Sequence, residues 1–355
     1  MNKSKGYITR LLIKLNHWEF WPTALVYFPI LVCYPYWAIR TGSLFFFQAV
    51  NPRLRMGGLY GASKQEALEF LSAEDKPKTI LFHTNNKFDG VEHRFLDAGI
   101  NYPIIIKPDL GERGKGIEKI DCASRLRPAV ESQTSDYLVQ EYLDMPFEAG
   151  VFYIRHPTEA KGKVTSIVVK GFLEIEGDGT SSIRALAAKN KRAVLIWSKL
   201  KMCLSKPETY VPALGEKIVL EHIGNHSRGT AFNDGNHLIN QSLTDWAESV
   251  AIQIPEFYYG RFDVRAASKE DFLAGRTIKI MEVNGANAEP AHIYQEGASL
   301  SKGMKTLLQY WHTLYLISKH NLKTHPKAKF SEAWHAYKSW QEIKRDKWNA
   351  YQQSL

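Results

Sequence analysis

The chain has 355 residues, 44% of them hydrophobic and 23% charged, which excludes a disordered or low-complexity protein and leaves room for two or three domains. Its three cysteines, Cys33, Cys122 and Cys203, lie far apart without CxxC spacing; they read as reduced thiols in a cytosolic setting, and neither a disulfide framework nor a cysteine metal site is expected. The net charge of +9 collects at the two ends: residues 1–56 carry seven Lys/Arg against one acid, residues 301–355 carry ten against three, and the middle is left at −4.

Two basic ends around an ordinary body suggest an anionic partner, either a membrane or a nucleic acid. Residues 1–56 favour the membrane. From Phe20 to Ile39 there are 20 residues without a charge, about the length that spans a bilayer. Pro22, Pro29 and Pro35 argue against one straight helix. Trp18, Trp21, Tyr34, Tyr36 and Trp37 sit near the ends of the run, as interfacial aromatics do. Basic residues flank both sides, so a kinked helix that enters and returns, or that lies in the interface, fits better than a span. The competing reading is a buried aromatic helix pair in a soluble domain. No small-x-small cleavage site follows the run, so a signal peptide is not expected.

Residues 57–102 hold a helix at 63–71, a strand at 78–84 and a helix at 88–100 closed near Gly99. A short apolar strand, 103–106, runs into Lys107-Pro108 and then into the loop GERGKG. The region 135–143 contains a further strand. Segments 151–157 and 162–175 read as an antiparallel pair, 182–197 and 243–254 as helices, and YYGRFDVRAA and RTIKIMEVN as paired strands. Strand pairs crossed by helices indicate an α+β or mixed α/β architecture. In the last segment, 301–355, six aromatics from Phe330 to Tyr351 share about a third of a helical wheel, beside Lys338, Lys344, Arg345 and Lys347. That helix either lies on an anionic membrane surface or packs on the protein's own body.

Two groups of residues can do chemistry. The loop lacks the GxxxxGK[ST] pattern. Gly111, Gly114 and Gly116 nevertheless allow backbone N–H groups to face an anion, Arg113 and Lys115 add charge, and Lys107 at a strand end would be a fixed point charge for a phosphate. A charged surface hairpin would have the same composition. Further on, Arg261 and Asp263 are two apart on one strand, and Glu282 and Asn284 two apart on another, so each pair projects from one face. Asp, Glu and Asn are the hard oxygen donors that hold Mg²⁺ together with substrate phosphates, and a neighbouring arginine could balance charge developing on a phosphoryl or acyl oxygen. A cross-strand ion pair on a solvated sheet is the alternative.

Taken in order, Lys107-Pro108 with its glycine loop, VQEYLDMPFEAGVF, GRFDV and MEVNG resemble the ATP-grasp ligases over about residues 80–300, with the D-alanine–D-alanine ligase branch the best match. The resemblance implies an ATP-grasp fold, two α+β subdomains gripping ATP across residues 103–300, preceded by a truncated pre-ATP-grasp region at 57–102. It also implies roles. Lys107 would contact the ATP phosphates, and the loop from Gly111 to Gly116 would cover the transferred phosphoryl. Glu141, with the backbone of Tyr142 and Leu143, would read adenine, and Glu148 would hold the ribose hydroxyls. Arg261 would stabilise a tetrahedral intermediate, and Asp263, Glu282 and Asn284 would hold Mg²⁺, or Mn²⁺ in its place. GNHSRGTAF resembles a segment of the ribosomal-protein glutamate ligases and would put Arg228 near the acyl phosphate. GDGTSSIRALAAKN resembles a segment of cyanophycin synthetases. Lys170 would be a further triphosphate contact, and Lys87 stands where the family's first ATP lysine is found, although the two dozen residues that usually follow it are missing. The activity implied is ATP-dependent condensation of a carboxylate with an amine through an acyl phosphate. The alternatives are a kinase that stops at phosphorylation and a non-catalytic nucleotide-binding scaffold. The basic, aromatic ends point to the cytoplasmic face of a membrane and to an acceptor delivered there, with no nucleic acid expected.

Overall fold

The computed structural model describes residues 3–84, 90–111 and 116–353, of which 3–7, 202–203, 343–344 and 346–353 as backbone only. The N-terminal part is helical: α1 (Lys3–Asn16), α2 (Thr23–Val26), α3 (Phe28–Thr41) and, after a glycine-rich turn, α4 (Lys64–Glu69). Ser63 starts α4 by accepting a hydrogen bond from the Glu66 N–H.

A first sheet has the order β1-β4-β2-β3, built from β1 (Thr79–Phe82), β2 (Ile104–Pro108), β3 (Glu118–Ile120) and β4 (Tyr137–Glu141), all antiparallel. Helices α5 (Val91–Asp97) and α6 (Ala123–Glu131) cover it, and Phe82, Phe95, Ile104, Ile106, Leu126 and Val139 fill the layer between. Strand β1 and helix α5 thus share the core of the strand that carries Lys107.

A second, five-stranded sheet has the order β11-β10-β5-β6-β9, with β5 (Phe147–Ile154), β6 (Lys163–Gly171), β9 (Ala231–Asp234), β10 (Tyr259–Ala266) and β11 (Ile278–Asn284), again antiparallel throughout. Between β6 and β9 the chain makes a small lobe: an antiparallel pair of β7 (Leu173–Glu176) and β8 (Lys217–Glu221), joined through and packed on α7 (Ile183–Lys189) and α8 (Lys191–Cys203). The single helix expected at 182–197 is two. Asn190 leaves the helical region at φ −97°, ψ 116°, and its side chain accepts from the N–H groups of Arg192 and Ala193, which starts the second helix.

The pleat of β5 and β10 divides their side chains between two surfaces. Ala149, Val151, Tyr153, Phe262 and Val264 join the core under α9 (Gln241–Ala251) and α10 (Lys269–Leu273). The alternate positions, Glu148, Arg261, Asp263 and Arg265, line a cavity. Farther along the same face, Phe152, Ile154 and Tyr259 meet α3, α11 (Leu300–Asn321) and α12 (Phe330–Gln353) in a second core that includes Trp37, Phe46, Phe47, Leu314 and Tyr315.

The charge-free run at 20–39 is therefore half packed. Ile30, Trp37 and Ala38 are buried in that second core, while Phe28, Leu31, Val32, Tyr36 and Ile39 on the other side of α3 are exposed. Among the described residues no helix is long and apolar enough to cross a membrane. The C-terminal aromatic stripe is divided too: Tyr60 packs on Tyr337 and Trp340, and Phe330 and Trp334 stay largely exposed. The whole is the α+β arrangement of two sheets facing a cleft, with helical, aromatic-rich ends, that the resemblance implies.

Candidate active site

The cleft between the sheets holds a cavity of about 940 Å³, within the range of small-molecule sites. The first sheet contributes Lys107 from β2 and Gln140 from β4; the second contributes Glu148, Lys170, Arg261, Asp263, Arg265, Glu282 and Asn284. The two walls meet at Lys107. Lys107 Nζ donates to Gln140 Oε1 on its own sheet and to the Met281 carbonyl on β11, both at 3.0 Å. Burial pushes the Lys107 ammonium down to about 8, and Lys64 adds to this, against the opposing pull of Glu282, Asp109 and Asp263.

Across the second sheet a chain of opposite charges runs along the cavity wall. Arg265 and Lys170 both bind Glu148, at 2.9 Å and 3.1 Å; Lys170 lies 3.6 Å from Asp263, and Arg261 grips Asp263 at 2.6 Å. All five are largely withdrawn from solvent, so each needs its neighbour. Burial raises the Asp263 carboxyl, but Arg261 and Lys170 outweigh it and hold Asp263 below its ordinary value. Burial likewise works against the charged form of Lys170, yet Asp263 and Glu148 keep it above its ordinary value.

The register of β10 and β11 sets Asp263 opposite Glu282 and Arg261 opposite Asn284. The Glu282 carboxylate is about a third exposed, and its nearest cation among the described residues is Lys64, 3.8 Å away. Asn284 lies 3.5 Å from Asp263. No three His, Cys, Asp or Glu among the described residues converge to cage a metal. Two carboxylates and an amide oxygen on paired strands do fit a divalent cation that takes its other ligands from phosphates and water.

The hinge between the sheets, from Glu141 at the end of β4 to Phe147, places Glu141, Tyr142 and Leu143 on the cavity wall. Lys119 and Arg265 lie over the Tyr142 ring, and Arg265 Nη1 donates to the Leu143 carbonyl at 2.6 Å. Glu148 lines the cavity and is tied to Lys170 and Arg265. Gly111 lines the cavity, and Gly116 sits at φ +73°, where a Cβ would come within 2.9 Å of the Pro108 ring. Lys87, Arg113, Gly114 and Lys115 lie outside the described residues. Arg228 is not among the cavity-lining residues. It binds Glu221 at 2.7 Å and the Ile117 carbonyl at 2.9 Å, joining the far end of the glycine loop to the β7–β8 lobe.

Sequence reasoning missed the contribution of the N-terminal third. Lys64 is buried and donates to the carbonyls of Asp109 and Gly111 at 3.1 Å and 2.7 Å. Asp109 in turn accepts from the Ser63 hydroxyl and the Gln65 N–H. The first turn of α4 thus clasps the start of the glycine loop. The signal available was Ser63-Lys64 behind Gly57-Gly58. Gly58, at φ +82°, brings its backbone so close to Gly285 that a Cβ would stand 2.7 Å from the Gly285 Cα, which seats this turn against the Asn284 loop. Phe20, Trp21, Tyr27 and Tyr60 also line the cavity, so the run read as membrane-like closes one end of the cleft.

No family model and no curated protein matches the chain. Among solved structures it is similar to the bifunctional glutathione synthetase of Pasteurella multocida, at 15% identity and a TM-score of 0.37, over 69% of this chain and 35% of that one. It is also similar to the VanG D-Ala:D-Ser ligase of Enterococcus faecalis (16%, TM-score 0.40, 74% and 63%) and to the D-alanine–D-alanine ligase of Bacillus anthracis complexed with ATP (12%, TM-score 0.41, 76% and 69%). The chain spans less than two thirds of the length of the first two, and likeness at this level assigns no role to any residue.

Proposed function

We propose that this protein is an ATP-dependent carboxylate–amine ligase. The observation that carries the reading is the opposition of Lys107 on one sheet to Arg261, Asp263, Glu282 and Asn284 on the other, across a cavity that ends in the hinge 142–146. ATP would lie along it, with adenine at the hinge beside Tyr142 and Leu143 and the triphosphate between Lys107 and Lys170. Asp263, Glu282 and Asn284 would hold Mg²⁺, which when bound offsets the charge of the phosphates.

In the first step a substrate carboxylate oxygen bonds to the γ-phosphorus, and the bond from that phosphorus to the bridging oxygen breaks with its electron pair leaving on ADP. In the second, the amine nitrogen bonds to the acyl carbon, the carbon–oxygen bond to phosphate breaks, and the nitrogen gives up a proton. Lys107 and Lys170 meet the charge on the phosphates in both steps, and the Arg261 guanidinium, held by Asp263, faces the developing oxyanion. Closure of the glycine loop, whose start Lys64 secures, would keep water from the acyl phosphate. The test is ADP release over a panel of carboxylates and amines, with product mass. A condensation product supports the reading, a phosphorylated product makes the protein a kinase, and ATP binding without turnover makes it a scaffold.

We further infer that the protein works on the cytoplasmic side of an anionic membrane. Ile8, Leu11, Leu12 and Leu15 form an exposed stripe on α1, and the outer face of α3, from Phe28 to Ile39, is apolar and open; Arg10, Lys14 and Arg40 are exposed beside them. Exposed apolar faces flanked by basic residues are the signature of an interfacial helix. Co-sedimentation with phosphatidylglycerol vesicles but not with phosphatidylcholine vesicles supports this, and equal recovery in the supernatant with both refutes it.

A further inference from the structure

The cleft has an end that the ATP reading leaves unused. Beyond Arg261 the cavity is walled by Trp21 and Tyr27 from the N-terminal segment, by Tyr294 and by Trp311 from α11. Tyr27 and Trp311 meet edge to face with ring centroids 6.5 Å apart. Within this wall stands Glu289, whose backbone carbonyl accepts from Arg261 Nη1 at 3.2 Å and whose Oε1 accepts from the Tyr27 hydroxyl.

At this end of the cavity the charge balance singles Glu289 out; Glu141, the other lining carboxylate without an ion pair among the described residues, stands at the hinge and accepts from the Lys78 N–H. Glu19 is paired with Arg192, Glu148 with Lys170 and Arg265, Asp263 with Arg261, and Glu282 faces Lys64. Among the described residues no Lys, Arg or His comes within ion-pair distance of Glu289. Its one hydrogen-bond partner there, the Tyr27 hydroxyl, is neutral and occupies one carboxylate oxygen, which leaves the other for a donor from the cavity. A carboxylate beside aromatic faces is the chemistry that takes an organic ammonium. The cations nearest the subsite already have carboxylate partners, Arg261 in Asp263 and Arg192 in Glu19, and the donor capacity left to Arg261 is what the ligase reading assigns to the developing oxyanion. A carboxylate on the incoming molecule would therefore face Glu289 without a cation of its own.

We propose that Glu289 and Tyr27, with Trp311 and Tyr294, form the acceptor subsite, and that the acceptor is an amine on an apolar or aromatic body with no carboxylate next to its nitrogen. This rests on the ligase reading for its place in the reaction, but the binding itself does not. The N-terminal segment then presents Tyr27 to the amine while Phe28, next in the chain, faces outward.

The test is direct binding without ATP, followed by quenching of tryptophan fluorescence in the full-length protein, with phenylalanine amide, octylamine and phenylalanine as probes. The two amines without a carboxylate should saturate, and phenylalanine should bind at least tenfold more weakly than its amide. Glu289→Gln should weaken the amide at least tenfold, and Tyr27→Phe severalfold, with ATP affinity unchanged in both. Phenylalanine binding as tightly as its amide would overturn the proposal, as would amine binding indifferent to Glu289→Gln and Tyr27→Phe. If Glu289→Gln does not fold, Tyr27→Phe and the amide-to-acid ratio in the unaltered protein decide. Glu289-dependent amine binding without ADP release for any carboxylate leaves the subsite standing and removes the ligase reading. Amide formation unaffected by Glu289→Gln does the reverse.

Discussion

Lys107 offers the sharpest separation of stability from function in this molecule. Its ammonium is buried and its pKa falls from 10.5 to about 8. At about 1.4 kcal/mol per pKa unit, holding it charged at this buried position costs roughly 3 kcal/mol at neutral pH. Replacing it with Met keeps the length of the side chain and removes the charge, at the loss of its hydrogen bonds to Gln140 and the Met281 carbonyl. Lys107→Met should therefore be more stable than the unaltered protein at pH 7, by about 1 kcal/mol after roughly 2 kcal/mol is subtracted for those two bonds, and it should lose ATP binding. The pH dependence has a definite sign. Between pH 8 and 10.5 the unfolded chain holds this proton and the folded chain does not, so stability due to Lys107 rises with pH through that window. Urea denaturation of both proteins from pH 7 to 10 measures the difference. It should shrink and then reverse as pH rises. A variant less stable than the parent at pH 7, or a difference that does not change with pH, would refute the reasoning.

Three other outcomes are expected. Glu148→Gln leaves Lys170 and Arg265 without their shared buried counter-charge and should cost about 3–5 kcal/mol in urea denaturation. Asn51 is buried and bonds the Gly57 and Tyr259 carbonyls and the N–H groups of Tyr258 and Tyr259; Asn51→Ala should lower stability by about 2–4 kcal/mol and loosen the end of the cleft that holds Tyr27. Lys64→Met unties the start of the glycine loop from α4 and should raise the KM for ATP several-fold in a steady-state assay of ADP release while leaving the melting temperature within a few degrees.

Most strands were legible because their apolar alternation is local. β1, β2, β4, β10 and β11 fall where the pattern puts them, and the pairing of β10 with β11 followed from two short polar-ended runs; β5 begins four residues before the expected 151–157, and the strand expected at 162–175 is two, β6 and β7, in different sheets. Lys107, Glu148, Arg261, Asp263, Glu282 and Asn284, each in a motif, and Lys170, on a strand, all line the cavity. Residues that enter the cleft from a distance in sequence were not legible. Lys64 lies in a helix whose pattern gives no hint that its first turn grips a loop some 45 residues on. Arg265 is two residues past Asp263 and was passed over because nothing local pairs it with Glu148. The 20–39 run misled in part because its apolar residues serve two surfaces: Trp37 and Ala38 go to a core and Tyr36 and Ile39 to the outside, and hydropathy adds the two together. The break at Asn190 was readable from a capping residue, and the periodicity on either side masked it.

The central claim, carboxylate activation by phosphoryl transfer, is tested most directly with an acid substrate labelled with oxygen-18 in its carboxylate. Passage through an acyl phosphate requires one labelled oxygen to leave with the released phosphate, in step with amide formation. Phosphate released without label, or label and phosphorus remaining together on the product, would contradict it.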